Sequence, residues 1–180
     1  WDPSRISKSP AIFDPLKLRA INAAYIRALP AEEFRRLADP FIDSAVHCDI
    51  DRDLLCANLQ PRCEVLEDIP PQLDFFDAVL PIDAEMYRNK KQKTTPESAK
   101  EALTALLPVL EAQTDWTRDA IFEACKTLAE QMEKKNGWLL FPLGIALSGK
   151  ARTPGGGTDL AAMMGREETL QRVKDALEKL

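Results

Sequence analysis

The residues from Gly144 to Ala151 have the types and spacing closest to a known chemical motif. They read Gly-Ile-Ala-Leu-Ser-Gly-Lys-Ala, which differs by one residue from the G-x-x-x-x-G-K-[ST] loop that binds nucleotide phosphates. The difference is the hydroxyl after the lysine, which would be the Mg²⁺ ligand. Pro142 also argues against the central strand that must precede such a loop. The pattern therefore weighs against nucleotide binding and favours a buried helix at this place.

The cysteines and the single histidine are the residues that could bind a transition metal. They contain no Cys-x-x-Cys pair, whereas zinc ligands usually come at short, repeated spacings. Buried, reduced thiols of a cytosolic protein explain the cysteines better, so we expect no metal site. The residues concerned are His47, Cys48, Cys56, Cys63 and Cys125.

Charge is distributed unevenly along the 180 residues, whose net charge is −5 at pH 7. Residues 2–36 carry a net charge of +3, residues 37–86 carry −10, and residues 94–180 carry −2. Between them, four basic residues within positions 88–93 form the densest positive patch. A polyanionic partner would therefore have to meet local patches, and the alternative is that these charges only solvate the surface.

Composition predicts a folded core without a membrane span. Hydrophobic residues make up 45% of the chain and the mean hydropathy is −0.27, as in soluble globular proteins. The longest apolar run, Trp138 to Leu147, is half the length of about 20 residues that a span requires. Because the chain starts with Trp1 and has no apolar signal core there, we expect a cytoplasmic piece of a longer protein.

The first half of the chain carries start signals for helices. Each signal is a capping aspartate or a proline at the start of the helix, and apolar residues at helical spacing follow it. The signals are Asp14-Pro15, Leu29-Pro30, and Asp49 or Asp51, and a further short helix is expected around Pro71 to Val79.

The second half shows the same period. Leu103 to Leu110 and Ile121 to Met132 each place apolar residues on one face, which favours core helices over a cofactor site. Lys135-Asn136-Gly137 is expected to stop the second of these. The remaining expectations are a buried helix over Trp138–Leu147 bent at Pro142, a loop over residues 153–159, a helix over Leu160–Met164 capped by Thr158 or Asp159, and a last helix opened by Glu167 and Glu168.

Together these signals predict an all-α, multihelical protein with two lobes. Residues 1–87 form the first lobe and residues 97–180 the second. The polar, basic stretch 88–96, which ends in a proline, is the expected linker.

Two segments at opposite ends of the chain resemble one family, the C-terminal anticodon-binding region of bacterial-type glutamyl-tRNA synthetase, a class I aminoacyl-tRNA synthetase. The first reads Ile-Ser-Lys-Ser-Pro-Ala-Ile-Phe-Asp-Pro from Ile6, and the second reads Pro-Leu-Gly-Ile-Ala-Leu-Ser-Gly-Lys from Pro142. Comparable residues follow at Thr153-Pro-Gly and Gly165-Arg-Glu-Glu, and Gln60-Pro61-Arg62 falls between. Several separated motifs in the right order make the resemblance specific.

The resemblance implies a role in recognition. The family enzyme joins glutamate to tRNA-Glu with ATP and Mg²⁺, on a catalytic domain that this chain lacks. Ser7-Lys8-Ser9 leads into Pro10 and lacks the rest of the catalytic Lys-Met-Ser-Lys-Ser signature. We therefore expect no catalytic residue and no cofactor in the fragment itself, and we expect a monomer whose partners are tRNA-Glu and the parent's own catalytic domain.

Arg62 is the strongest candidate for reading a base. In the family, an arginine at the matching place reads the third anticodon base, which is cytosine. A guanidinium only donates hydrogen bonds, so it suits the O2 and N3 acceptors of cytosine and opposes the N1–H and N2–H donors of guanine. The alternative is an ordinary salt bridge, because Arg62 lies in the most acidic segment.

The resemblance also implies contacts elsewhere in the second lobe. Lys126 matches a place where the family often has a basic residue near the anticodon, and Thr153, Pro154 and Gly155 match a loop that approaches the bases. The chain departs from the family at Gly144, where arginine is common, and at Gly156, where larger residues also occur. The candidates for phosphate contacts are Lys150, Arg152, Arg88, Lys90 and Lys91. A helical protein-interaction module with no nucleic-acid role is the competing hypothesis.

Overall fold

A computed structural model describes residues 14–180 of the chain, and the predicted motif at residues 6–13 lies outside them. Within that range the protein is helical, and the one β contact is an isolated antiparallel bridge between Asn89 and Thr94. The all-α prediction is confirmed. No helix in the described range is long and apolar enough to cross a membrane.

The first three helices begin where the sequence signals place them. Asp14 caps α1 by accepting hydrogen bonds from the N–H groups of Leu16 and Lys17, and Asp51 caps α3 through the N–H of Leu54. The helices are α1 (Pro15–Ala28), α2 (Ala31–Asp43) and α3 (Arg52–Leu59), and a 3-10 turn at Gln60–Arg62 continues α3.

Five helices form the second part of the chain. They are α4 (Pro96–Ala112), α5 (Arg118–Gln131), α6 (Asn136–Ser148), α7 (Gly157–Met164) and α8 (Arg166–Lys179). Helix α6 is buried on nearly all sides and contacts α4, α5, α7 and α8, which explains why its sequence is apolar all round.

The helix predicted over Pro71–Val79 is wrong. The structure has only a 3-10 turn at Pro70–Gln72, followed by turns and bends. Two consecutive prolines remove backbone donors. Beyond them, the carbonyl groups of Phe75 and Phe76 accept hydrogen bonds from the buried side chain of Arg172 instead of from backbone N–H groups of a helix.

Two predicted helix boundaries also change. Asn136-Gly137 begins α6 instead of stopping α5, because Glu133 makes the reversal with a φ of 55° and Lys134 N–H bonds the carbonyl of Ala129. Helix α7 begins three residues early, at Gly157, since Asp159 reaches back to the N–H of Gly156.

One core runs through the described range, from Ile26 in α1 to Ala176 in α8. Contacts between the two predicted lobes include a backbone hydrogen bond from Asp51 N–H to the Met163 carbonyl, 3.0 Å. The division at residues 88–96 stays a prediction.

Candidate nucleic-acid interface

A groove of about 650 Å³ lies where four separate parts of the chain meet. Its apolar side is formed by Leu140, Phe141 and Ile145 of α6. Polar side chains from the 3-10 turns, from the segment after Tyr87 and from the α6–α7 loop form the rest: Arg62, Gln72, Gln92, Lys150, Arg152 and Thr153.

Arg62 connects the two halves of this groove. Its Nη1 donates a hydrogen bond of 3.2 Å to the carbonyl of Pro154, 92 positions away in the sequence. No carboxylate pairs with Arg62 in the described part of the chain. The arrangement does not match the salt-bridge alternative, and it leaves most of the guanidinium N–H groups available to a ligand.

The loop that carries Thr153 and Pro154 is held by local hydrogen bonds. Thr153 Oγ1 donates to the carbonyl of Gly155 at 2.6 Å, and Gly156 N–H donates to Asp159 Oδ2 at 2.7 Å. A Cβ at Gly155 would come within 2.5 Å of the Asp159 Cβ, so the loop requires glycine there. The sequence therefore fixes the backbone of this loop before any ligand arrives.

The near phosphate-binding motif is the end of α6. Gly144 is helical, and Gly149 ends the helix with a φ of 68°, a conformation that favours glycine. Lys150 Nζ donates to the carbonyl of Pro71 at 2.8 Å and pairs with Asp74. Because the backbone N–H groups bond within the helix and the lysine is occupied, these residues do not fit a nucleoside triphosphate.

The other sequence candidates divide into those at the groove and those away from it. Arg152 is exposed on the groove wall and forms no ion pair with any described residue. Lys126 lies on α5 and pairs with Glu123 at 3.2 Å, away from the groove lining. Arg88 pairs with Glu85 at 2.7 Å, and Lys90 and Lys91 are exposed on the following turn, outside the lining.

Sequence reasoning missed three groove residues, Gln72, Gln92 and Phe141. Gln72 Nε2 donates to the carbonyl of Asp68 at 2.7 Å, so it is partly engaged. Phe141 is half-buried and presents an aromatic ring in a wall that was expected to be core. The one signal available was the polar composition of the basic linker, which contains Gln92.

Three of the four cysteines are buried as expected, but the expectation is wrong for Cys48, which is exposed beside His47. Burial raises the pKa of Cys56 and Cys63 to about 11 and that of Cys125 to about 12, so these thiols are protonated at neutral pH. His47 Nδ1 lies 2.6 Å from Asp77 Oδ2. Among the described residues, no group of three or more His, Cys, Asp or Glu side chains could hold a metal ion.

The groove combines an aromatic surface, amide groups and unpaired guanidinium groups. Unstacked bases of single-stranded RNA are recognised by stacking on aromatic side chains and by hydrogen bonds to their exposed edges. Arg62, Gln92 and Phe141 supply these two kinds of contact at one place.

Comparison with known proteins also indicates an anticodon-binding domain. Residues 20–177 match a family model described as an anticodon binding domain. The chain is 45% identical over 175 residues to a glutamate–tRNA ligase of Clostridium botulinum (strain Hall), covering 97% of this chain and 36% of that protein. A glutamate–tRNA ligase of Clostridium tetani is 42% identical over 180 residues, covering all of this chain and 37% of the relative.

Solved structures share the fold. A glutamate tRNA ligase from Elizabethkingia meningosepticum matches with a TM-score of 0.82 at 24% identity, over all of this chain and 35% of that one. The Elizabethkingia anophelis glutamate-tRNA synthetase matches with a TM-score of 0.76 at 21% identity, covering 99% of this chain and 34% of that one. The chain thus spans just over a third of the length of the curated relatives that it matches. The extent of the family match, with nearly every described helix inside it, establishes that the chain belongs to the anticodon-binding domain family.

Proposed function

We propose that this chain is the anticodon-recognition domain of a glutamate–tRNA ligase and that the groove receives unstacked anticodon bases of tRNA-Glu. The parent enzyme would join glutamate to that tRNA with ATP and Mg²⁺ on another part of the protein. The fragment supplies recognition, acts as a monomeric unit beside the parent's catalytic domain, and works in the cytoplasm.

The observation that carries this proposal is the contact between Arg62 and Pro154. It places a guanidinium from the end of α3 against the glycine-rich loop before α7, 92 positions away, in one groove. Arg62 then faces the third anticodon base, where cytosine offers acceptors to its donors and guanine would oppose it with donors. Thr153, Pro154 and Gly155 offer backbone and hydroxyl groups to the neighbouring bases.

Exposed basic side chains near the groove support the same proposal. Arg152 is exposed beside the groove without an ion pair to a described residue, and Lys90 and Lys91 extend the positive surface on the turn after Arg88. Lys126 and Lys150 are secondary candidates, because each is already paired with a carboxylate.

The test is binding of a fluorescently labelled tRNA-Glu anticodon stem-loop, measured by anisotropy between 50 and about 300 mM salt. Each phosphate contact to a single strand contributes a slope of about −0.7 in log K against log salt. We expect a slope of roughly −2 if three such contacts form. A stem-loop with guanine as the third anticodon base is the control, and it should bind more weakly.

A flat salt response together with equal binding of both stem-loops would contradict the proposal. That outcome would favour the alternative of a helical protein-interaction module, which needs neither phosphate charge nor base recognition.

A further inference from the structure

The turn that follows Tyr87 holds the backbone of Gln92 in place. Asn89 and Thr94 exchange two backbone hydrogen bonds of 3.0 and 3.1 Å. Asn89 Oδ1 accepts hydrogen bonds from the N–H groups of Lys91 and Gln92, at 3.0 and 3.1 Å. Thr94 is buried, and its hydroxyl donates to the carbonyl of Tyr87 at 2.7 Å. These hydrogen bonds fix the backbone from which the Gln92 side chain extends.

The Gln92 side chain lies directly over Gly137, in the first turn of α6. A Cβ added to Gly137 would overlap Gln92 Oε1 and would approach Gln92 Cδ to 2.6 Å. Gly137 is the second residue of α6, and its missing Cβ leaves space at the groove. The position that it leaves open is occupied by the glutamine amide.

The Gln92 amide is available to a ligand. It is half-buried, lines the groove with Phe141, and forms no hydrogen bond to any described residue. The other groove amide, Gln72, already donates to Asp68. A carboxamide has two donors and an acceptor in one plane, which suits bidentate recognition of a base edge.

We propose that Gln92 is a specificity-determining residue, reading the edge of an anticodon base that stacks on Phe141, and that Gly137 leaves the space that its amide occupies. This inference rests on the proposed function of the groove. Arg62 is assigned to the third base, so Gln92 acts on one of the first two. Gln92 is uncharged, unlike Lys90 and Lys91 beside it, which are candidates for phosphate contacts, and it adds base selection to the same turn.

The experiment compares Gln92→Ala, Gly137→Ala and the double variant with the wild-type chain in the anticodon stem-loop assay. Each single variant should lose roughly 5- to 100-fold in affinity, the range of one bidentate contact. The double variant should lose no more than either one, because both remove the same contact. The salt slope should stay unchanged, since Gln92 carries no charge.

Two controls separate this effect from a general weakening. Gln171→Ala removes an exposed glutamine of α8 outside the groove and should bind like the wild type. Stem-loops with an abasic site at each anticodon position locate the contact: the penalty of Gln92→Ala should disappear for one of the first two positions only. Gly137→Ala should melt at nearly the wild-type temperature, because the group that its Cβ displaces is the flexible end of the Gln92 side chain.

The outcomes are distinguishable. Wild-type affinity for Gln92→Ala, while Arg62→Gln still weakens binding, would overturn this inference and leave the proposed function standing. A penalty that persists with every abasic stem-loop would also overturn it, as would additive losses in the double variant. Failure of the wild-type chain to bind any stem-loop would refute the proposed function itself.

Discussion

At the residue scale, Arg62 has one fixed hydrogen bond and several free donors. The bond from Nη1 to the Pro154 carbonyl orients the guanidinium, and no described carboxylate neutralises it. Arg62→Gln should narrow the preference for cytosine over guanine at the third base, because glutamine offers both a donor and an acceptor and so tolerates either base. We expect the ratio of the two dissociation constants to fall by roughly 10-fold, measured with paired stem-loops.

Arg27→Gln is the matched control for this prediction. Arg27 is an exposed arginine at the end of α1, outside the groove, so the substitution removes the same charge without changing the proposed base contact. It should leave the cytosine-to-guanine ratio unchanged. An equal ratio for wild type and Arg62→Gln would remove Arg62 from the set of base-reading residues.

Asp77 gives a prediction about pH at the same scale. Its carboxylate accepts hydrogen bonds from the His47 ring and from the N–H groups of His47 and Cys48, which lower its pKa below the ordinary 3.8. A depressed pKa in the folded state stabilises the protein above the unfolded pKa, and this stabilisation is lost as the pH falls through the folded value. Asp77→Asn should therefore lower the urea midpoint at pH 6, and the difference from wild type should shrink below about pH 4.

Asp49→Asn is the control for the titration of Asp77. Asp49 is exposed in the loop of His47 and Cys48, which Asp77 contacts, and it accepts no hydrogen bond from a described residue, so its substitution should leave the urea midpoint unchanged at both pH values. A difference between wild type and Asp77→Asn that is constant from pH 3 to pH 6 would show that the carboxylate charge is not what stabilises the loop.

At the element scale, the helices that the sequence predicted well are those with local signals. Asp14 and Asp51 cap their helices by accepting hydrogen bonds from backbone N–H groups two or three residues later. Such a contact depends only on neighbouring residues, so the sequence alone can predict it. The wrongly predicted helix over residues 71–79 lies where a distant contact intervenes, because the carbonyl groups of Phe75 and Phe76 accept hydrogen bonds from Arg172. The two misplaced boundaries have local causes instead: the positive φ of Glu133 before α6 and the hydrogen bond from Gly156 N–H to Asp159 before α7.

The candidate site shows the same limit. Arg62 and Thr153-Pro-Gly were found through a family resemblance, and the structure brings them together. Nothing in the sequence pattern indicated that Phe141 would open onto a groove, because its neighbours are buried and its period is that of a core helix. Lys126 was placed by analogy on a helix that does not line the groove.

Arg172 of α8 carries the element-scale prediction. It is 3% exposed, and it donates to the carbonyl groups of Phe75, Phe76 and Leu147 and to the carboxylate of Glu168, at 2.6 to 2.7 Å. Arg172→Met would leave three carbonyl groups without this donor, each at a cost of about 1–3 kcal/mol. We expect a loss of roughly 3–5 kcal/mol in the free energy of unfolding, measured by urea titration.

The matched control is Arg166→Met on the same helix. Arg166 is exposed and donates one hydrogen bond, 2.7 Å, to the carbonyl of Glu111. Its loss should change the free energy of unfolding by no more than about 1 kcal/mol. Equal effects of the two substitutions would show that the carbonyl groups around Arg172 find other partners.

At the scale of the whole molecule, the predicted lobes are joined by three kinds of contact. The core is continuous from α1 to α8, α3 packs on α7, and Arg62 and Arg172 hydrogen-bond across the boundary. A groove whose walls come from both sides of residues 88–96 keeps its shape only if the two sides move together. We therefore expect a single cooperative unfolding transition, in which circular dichroism and tryptophan fluorescence coincide.

The position of the tryptophans makes this cooperativity testable. Two of the three, Trp116 and Trp138, lie in the second predicted lobe, whereas circular dichroism reports helices on both sides. Leu55→Ala creates a cavity in α3 of the first lobe, where Leu55 is fully buried, and should cost about 2–5 kcal/mol. In a cooperative protein it lowers the urea midpoint of both signals equally, although Leu55 is distant in sequence from either tryptophan.

Leu16→Ala is the control. Its side chain is 77% exposed, so the substitution should change the free energy of unfolding from either signal by no more than about 0.5 kcal/mol. Fluorescence that ignores Leu55→Ala would show instead that the lobes unfold independently, and the groove between them would then have to form when the RNA binds.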